Sequence, residues 1–281
     1  MLTTSKRMLL KTLSVAACTA LGGYAGVRWF ERANVYRPSP GNLRITPKAL
    51  GLPFEEVWLS TSDSKRIHSW FFPVGLTERF SKKAVLFAHG NAGNMSHRFD
   101  VYRMLLHAGI NVLAFDYRGY GLSEGRPTED GTYLDADAAV AWLASRGYQP
   151  KDVVAFGESL GGGIASETAL RNGLAGLILL SSFTSVPELG KELFPMLPVR
   201  WISTIKYDTR SKLRRLKCPT LMLHSHEDGL IDFHHAERNH EASVGNKELI
   251  VIQGDHNSAV QMDELNIRQS IERFLSTRVW P

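Results

Sequence analysis

Apolar runs of four or five residues recur from residue 84 onward, and longer stretches with helical periodicity or turn residues separate them. We predict buried strands at these runs, at residues 85–88, 112–115, 153–156, 177–180, 220–224 and 249–252. Helices are predicted at residues 98–108 and 135–145, directly after residue 159, and at residues 258–275. Apolar strands that alternate with helices predict an α/β fold, in which helices cover both faces of a mostly parallel central sheet.

Two segments depart from this alternation. Residues 56–60 and 67–72 straddle a turn-like Ser-Asp-Ser sequence, which predicts an antiparallel strand pair. Residues 183–217 contain prolines that interrupt helices, together with several large apolar side chains. We interpret residues 183–217 as a small helical cap at the carboxyl ends of the strands, with simple packing on the sheet as the alternative. Residues 54–281 would then form one catalytic domain.

The first 30 residues have the pattern of a targeting or anchoring segment. Three basic residues precede residues 13–27, which carry no charge. Fifteen helical residues span roughly 22 Å, short of a ~30 Å hydrocarbon core. We favour an uncleaved single-pass signal-anchor, with a cleaved export signal or a lipoprotein signal at Cys18 as alternatives, and all three place the protein at a membrane. Residues 31–53 contain four prolines and are predicted to be a linker.

Charge restricts the class of partner. The chain has 33 Lys and Arg against 28 Asp and Glu, a net charge of +5. Six of those basic residues and one acidic residue lie in residues 1–37, so the rest of the chain is balanced. A basic surplus confined to the N-terminal segment suits a membrane surface. The sequence has no zinc-finger spacing or RNP signature, and we expect no nucleic-acid partner.

The clearest chemical motif is Gly157-Glu158-Ser159-Leu160-Gly161, between an apolar run and a stretch of small residues. A strand that turns sharply into a helix at such a motif presents the serine hydroxyl above the edge of the sheet. The glycines let strand and helix approach closely. We therefore predict that Ser159 is a nucleophile; the alternative is a Gly/Ser loop without chemistry.

A serine nucleophile needs a base that takes its proton and an acid that orients the base. His256 follows the predicted strand 249–252 and is the candidate base. Asp228 follows strand 220–224 and is the preferred acid, with Glu227 as a nearby rival and Asp232 as a distant one. The order serine, aspartate, histidine is that of the α/β-hydrolase fold, and differs from the orders in chymotrypsin and subtilisin.

Two backbone amides are the candidate oxyanion hole. Leu160 follows the nucleophile at the start of a predicted helix, so its N–H is free to face a developing negative charge. The second donor is expected from the loop after the strand at 85–88, and we assign it to the N–H of Asn91.

The order and content of several motifs resemble the α/β-hydrolase superfamily, and most closely its membrane-anchored bud-emergence-type and serine-aminopeptidase-like hydrolases. The motifs are His89-Gly90-Asn91-Ala92-Gly93-Asn94, Asp116-Tyr117-Arg118-Gly119-Tyr120-Gly121, Gly157–Gly161 and Gly254-Asp255-His256-Asn257. The resemblance covers residues 55–278 and implies an α/β-hydrolase fold with a Ser159–His256–Asp228 triad. Similar proteins often have His-Gly before the acid, where this chain has His226-Glu227, so Glu227 stays a rival.

These observations predict a serine hydrolase that cleaves a carboxylic ester or thioester of a small acyl substrate through an acyl-enzyme. The basic N-terminal segment and the apolar cap favour lipid-like acyl groups. A serine peptidase of the aminopeptidase-like type is the alternative enzyme, and a non-catalytic hydrolase-fold membrane scaffold is the alternative from another class. We expect no cofactor and no metal, because His224, His226 and Asp228 have the spacing of an ordinary strand-terminal loop.

Overall fold

The computed structural model describes residues 4–41 and 43–281, and the side chains of residues 19, 21–41 and 43–281. The helices are α1 Thr4–Val35, α2 Phe99–His107, α3 Glu129–Ser145, α4 Leu160–Asn172, α5 Val186–Leu193, α6 Val199–Ile202, α7 Thr209–Leu213, α8 His234–Ala242, α9 Ala259–Met262 and α10 Glu264–Phe274. The strands are β1 Arg37–Pro38, β2 Glu55–Ser60, β3 Arg66–Phe72, β4 Phe80–Ala88, β5 Ala92–Gly93, β6 Ile110–Phe115, β7 Val153–Glu158, β8 Gly176–Leu180, β9 Thr220–Ser225 and β10 Lys247–Ile252.

Eight strands form the central sheet, in the order β10-β9-β8-β7-β4-β6-β3-β2. The strands from β10 to β6 in that order are parallel, whereas β3 pairs antiparallel with both β6 and β2. The predicted mostly parallel sheet is therefore confirmed, together with the antiparallel pair at its edge. β7 and β4 lie in the middle of the sheet, so the chain segments that leave their carboxyl ends are neighbours.

Each face of the sheet has its own apolar core. Successive residues of a strand point to opposite faces, so Leu86 joins one core and Phe87 joins the other. The first core includes buried side chains of α3, α4 and α7, and the second includes those of α2 and α10. Helices thus cover both faces, as predicted.

The N-terminal segment differs from the prediction at its boundary. Helix α1 continues to Val35, five residues past the predicted end of the anchoring segment at residue 30. β1 follows at once and pairs in parallel with β5. The predicted start of the linker at residue 31 is therefore corrected: irregular chain begins only after α1 ends.

No helix within residues 4–41 and 43–281 has both the length and the apolar composition needed to cross a bilayer. The predicted single-pass anchor is therefore not seen in that part of the chain. Residues 1–3 of the predicted segment, and the side chain of Cys18, lie outside what the structure describes.

Residues 183–217 divide into two parts. Helices α5 and α6, with the turn between them, form a segment that we call the α5–α6 segment (residues 186–202). Helix α7 belongs to the body of the domain, because Leu213 is fully buried in the first core and the Lys212 ammonium donates to the Gly163 carbonyl at 3.0 Å. Helix α7 therefore packs on the sheet and is not part of a cap.

Candidate active site

Ser159 occupies a strained turn between β7 and α4. Its backbone has φ 53° and ψ −117°, a conformation that costs a residue with a Cβ about 1–3 kcal/mol. Gly157 and Gly161 must be glycines because neighbouring backbone leaves no room for a Cβ atom at either position. A Cβ on Gly161 would collide with the Ala88 carbonyl of β4, and a Cβ on Gly157 would collide with the backbone of Gly161. The predicted sharp strand-to-helix turn is thus present, and close packing against β4 maintains it.

The structure brings Ser159, His256 and Asp228 together in one hydrogen-bonded chain. The Nε2 atom of His256 lies 3.1 Å from the Ser159 Oγ, and the Nδ1 atom lies 2.8 Å from the Asp228 Oδ2. Asp228 is an acceptor on this contact, so the neutral imidazole carries its proton on Nδ1 and presents a lone pair on Nε2 to the serine. This arrangement can take the proton from the Ser159 hydroxyl.

Asp228 is held on both of its oxygens. Its Oδ1 accepts the amide N–H groups of Leu230 at 3.0 Å and Ile231 at 2.8 Å, while Oδ2 faces His256. Burial alone would raise the pKa of the Asp228 carboxyl. Hydrogen bonds from His256 and the Ile231 amide, together with the charge of His256, outweigh burial and leave the pKa below its ordinary value of 3.8.

The two rival acids point elsewhere. The Glu227 Oε2 accepts the Gly254 amide at 3.1 Å, and the Asp232 Oδ1 lies 2.7 Å from the His234 Nδ1. Among the three carboxylates, Asp228 is the one that contacts His256.

The loop after β4 carries the first predicted oxyanion donor, Asn91. The imidazole Nδ1 of His89 lies 2.7 Å from the Gly90 carbonyl oxygen, which belongs to the same peptide unit as the Asn91 N–H. A trans peptide points its C=O and N–H in opposite directions, so fixing this carbonyl also fixes the donor. His89 thus has a positioning role: its ring orients the peptide unit that carries the Asn91 N–H.

Asn91 and Leu160 both line the cavity that contains Ser159 and His256. Leu160 is the first residue of α4, where the helix leaves its leading N–H groups without intrahelical partners. The structure therefore places both residues that were predicted to supply donors at the nucleophile's cavity.

An ion pair that sequence reasoning did not find lies beside the nucleophile. The Arg98 Nε donates to the Glu158 Oε2 at 2.7 Å, and the Arg98 Nη2 donates to the Ala92 carbonyl at 3.3 Å. Glu158 immediately precedes Ser159, and the motif alone gave its side chain no role. Pairing with Arg98 neutralises a carboxylate that would otherwise oppose negative charge at the oxyanion loop.

The cavity has a volume of about 540 Å³, within the range of pockets that hold small molecules. Its polar groups include Ser159, His256 and the Asn91 loop. Most of the remaining lining is apolar and comes from α1, the α5–α6 segment and neighbouring loops: Val27, Phe30, Val35, Phe183, Val186, Leu189, Leu193, Phe194, Leu197, Val199, Ile202, Leu230 and Ile231. The sequence predicted the contribution of the α5–α6 segment, but not that of α1.

The histidines considered as metal ligands do not converge. The His224 Nε2 lies 2.8 Å from the Ile231 carbonyl, and the His226 ring packs on Phe233 at 3.8 Å between centroids. Among the described side chains, one group of three has donor atoms within 4.8 Å of one another: Glu192, His234 and His235. Both of its imidazoles contact the Glu192 carboxylate, at 3.1 and 3.0 Å, and none of the three lines the cavity of Ser159.

Comparison with known proteins finds hydrolases by sequence and by structure. Residues 80–209 match the serine aminopeptidase S33 family (Hydrolase_4). An uncharacterized protein of Mycobacterium tuberculosis is 33% identical over 269 residues, 95% of each chain. The α/β-hydrolase domain-containing protein WAV2 of Arabidopsis thaliana is 31% identical over 232 residues, 75% of each chain. An esterase from Pyrococcus furiosus has a similar structure, with a TM-score of 0.71 at 22% identity over 87% of this chain and 98% of the esterase.

Proposed function

Because the chain belongs to the α/β-hydrolase superfamily, as its motifs predicted, we propose that it is a serine hydrolase that cleaves a carboxylic ester or thioester through an acyl-enzyme. The observation that carries the proposal is the hydrogen-bonded chain from Asp228 through His256 to Ser159. A serine hydroxyl becomes an effective nucleophile only with such a base, and the base needs an orienting group.

In the proposed reaction, the Ser159 Oγ attacks the carbonyl carbon of the substrate as its proton passes to the His256 Nε2. Asp228 keeps the imidazole in the required tautomer and stabilises the imidazolium. The imidazolium then protonates the departing alcohol or thiol, and the acyl group stays on Ser159. Water, deprotonated by the same imidazole, attacks the acyl-enzyme; the acid departs as the Ser159 Oγ takes the proton back from the His256 imidazolium. The Asn91 and Leu160 N–H groups hold the oxyanion in both steps, and a donor of this kind supplies about 2.7–4 kcal/mol.

The charges that line the cavity favour an ester or thioester over an aminopeptidase substrate. An aminopeptidase must bind the ammonium group of its substrate, which calls for an unpaired carboxylate. Both acidic side chains in the described lining are already paired, Glu31 with Arg28 and Glu158 with Arg98. A serine peptidase is the second candidate, and the match to a serine aminopeptidase family supports it.

A fluorophosphonate probe tests the nucleophile. The wild-type protein should be labelled and Ser159→Ala should not, with Ser225→Ala as a matched control because Ser225 is buried outside the cavity lining. A panel of acyl esters, acyl thioesters and aminoacyl anilides then ranks the substrate classes. Equal labelling of wild type and Ser159→Ala would refute the nucleophile. Faster turnover of anilides than of esters would move the assignment to a peptidase.

We further propose that the protein acts at a membrane surface through its N-terminal segment. Residues 1–37 hold the whole basic surplus of the chain, which suits anionic lipid. Large apolar side chains are also exposed on α1 and on the α5–α6 segment: Trp29 is 72%, Met196 92% and Trp201 91% exposed. Sedimentation with anionic vesicles should exceed that with zwitterionic vesicles and should weaken in Trp201→Ala; no binding to either kind would contradict the proposal.

A further inference from the structure

A group of hydrogen bonds centred on the Glu31 carboxylate fastens helix α1 to residues 202–205. The Glu31 Oε1 accepts the Ser203 hydroxyl at 2.7 Å and the amide N–H groups of Thr204 at 2.7 Å and Ile205 at 2.9 Å. Arg28, one turn earlier, pairs with the same carboxylate at 2.7 Å and also donates to the Ile202 carbonyl. Charge-assisted hydrogen bonds are stronger than neutral ones, so this contact fixes the last turns of α1 against residues 202–205.

One face of α1 is turned toward the catalytic cavity. Val27, Phe30, Glu31, Asn34 and Val35 all line it, at the spacing of three and four residues that places side chains on one side of a helix. The Phe30 ring meets the ring of Phe194 edge-on, with 5.2 Å between centroids. Helix α1 and the α5–α6 segment therefore form two walls of the same cavity. The α1 wall is apolar at Val27, Phe30 and Val35, and the wall from the α5–α6 segment is apolar throughout.

The chain that leaves α1 also holds the predicted oxyanion loop. The Arg37 N–H donates to the Asn91 carbonyl and the Ser39 N–H donates to the Gly93 carbonyl, each at 3.0 Å. These bonds belong to the β1–β5 pairing, in which Arg37 lies opposite Ala92. The chain that follows α1 thus connects the α1 wall of the cavity to the loop beside the nucleophile.

We infer that the α1 side chains of Val27, Phe30 and Val35 form the acyl-chain subsite of this enzyme and select linear acyl groups of medium to long chain length. The inference rests on the proposed function, since it concerns the acyl group that Ser159 would receive. The reacting groups and the Asn91 loop supply polar contacts, whereas the two walls offer mainly alkyl and aromatic carbon. A flexible alkyl chain matches such walls, and each methylene buried against them should raise kcat/KM about fourfold until the cavity is full.

Two substitutions in α1 test the subsite in opposite ways. Val27→Trp places a large ring in the cavity, so kcat/KM should fall at least tenfold for dodecanoyl esters and stay within twofold for acetyl and butyryl esters. Phe30→Ala removes wall surface, so the gain per added methylene should shrink. Trp29→Ala is the matched control, because Trp29 lies on the same helix, is 72% exposed and does not line the cavity. Its chain-length profile with esters supplied in solution should equal that of the wild type.

Fluorophosphonate labelling keeps the two proposals separate. If the variants label at Ser159 like the wild type but their chain-length profiles do not change, the subsite inference is overturned and the hydrolase proposal stands. If the wild type is not labelled at Ser159, the hydrolase proposal fails first. A uniform loss across all chain lengths, with an unchanged melting temperature, also contradicts a chain-length subsite. Comparing the rate of hydrolysis of esters supplied in solution with that of esters supplied in phosphatidylcholine vesicles distinguishes a soluble source of the acyl chain from a membrane source.

Discussion

Replacing Asp228 by asparagine preserves the shape of the side chain but reverses its hydrogen bond to His256. The Leu230 and Ile231 amides both donate to the Asp228 Oδ1, so an asparagine keeps its carbonyl oxygen there. Its NH₂ group then occupies the Oδ2 position, 2.8 Å from the His256 Nδ1, and must donate to that nitrogen. The imidazole is forced to carry its proton on Nε2, which faces Ser159 and can no longer act as a base.

The expected loss is large because no part of the site can restore the tautomer cheaply. Rotating the amide would leave two buried N–H groups facing an NH₂ group, which costs about 1–3 kcal/mol for each unsatisfied donor. The corresponding change in other triads lowers kcat about 10⁴-fold, equivalent to about 5.4 kcal/mol of transition-state stabilisation. We expect a loss of that order for Asp228→Asn.

Steady-state hydrolysis of an activated ester, with active sites counted by burst titration, measures this loss. Glu227→Gln is the matched control, since its carboxylate binds the Gly254 amide, and it should retain kcat within a few fold. Retention of more than a tenth of wild-type kcat by Asp228→Asn would refute the tautomer argument. A severe loss in Glu227→Gln with an active Asp228→Asn would transfer the acid role to Glu227.

Other substitutions test the support around the site. Gly161→Ala should destabilise the fold by at least about 3 kcal/mol in urea unfolding, because the added Cβ meets main chain of β4, whereas Gly75→Ala meets only ordinary contacts and should be near neutral. Asp135→Ala should cost about 3 kcal/mol, because it leaves buried Arg118 without the carboxylate that accepts its N–H, Nε and Nη2 groups. The folded-state pKa of Asp228 lies below the unfolded value, so its stabilising contribution is present above about pH 4 and is lost as pH falls through the folded pKa. Urea titrations between about pH 5 and pH 3 should therefore show a smaller loss of stability in Asp228→Asn than in the wild type.

The elements that the sequence predicted well are those whose local pattern and burial agree. The apolar runs at β4, β6, β7, β8 and β9 are buried along almost their whole length, so each run marks its strand directly. The positions of Ser159, Asp228 and His256 followed because parallel strands end at the same edge of a sheet. The order of strands along the sequence is therefore enough to predict that these three residues meet.

Two helical features could not be predicted, because the local sequence pattern does not indicate them. Helix α8 has few apolar residues, and its buried side chains include His235 and Asn239, so no apolar stripe indicates it. The last turns of α1 are held by hydrogen bonds that Glu31 accepts from Ser203, Thr204 and Ile205, which lie more than 170 residues away along the chain. A local pattern that contains prolines just beyond this point favours a linker, and only the tertiary contacts show a helix.

At Ser159, the residue that catalysis requires is not the residue that would make the fold most stable. Glycine would adopt φ 53° and ψ −117° without the ~1–3 kcal/mol cost that serine carries, so an inactive Ser159→Gly protein should be the more stable of the two. Selection for folding alone would therefore favour glycine there, and only selection for turnover favours serine. In any descendant released from catalysis, this position is expected to drift toward glycine while the turn itself, required by the contact with β4, persists.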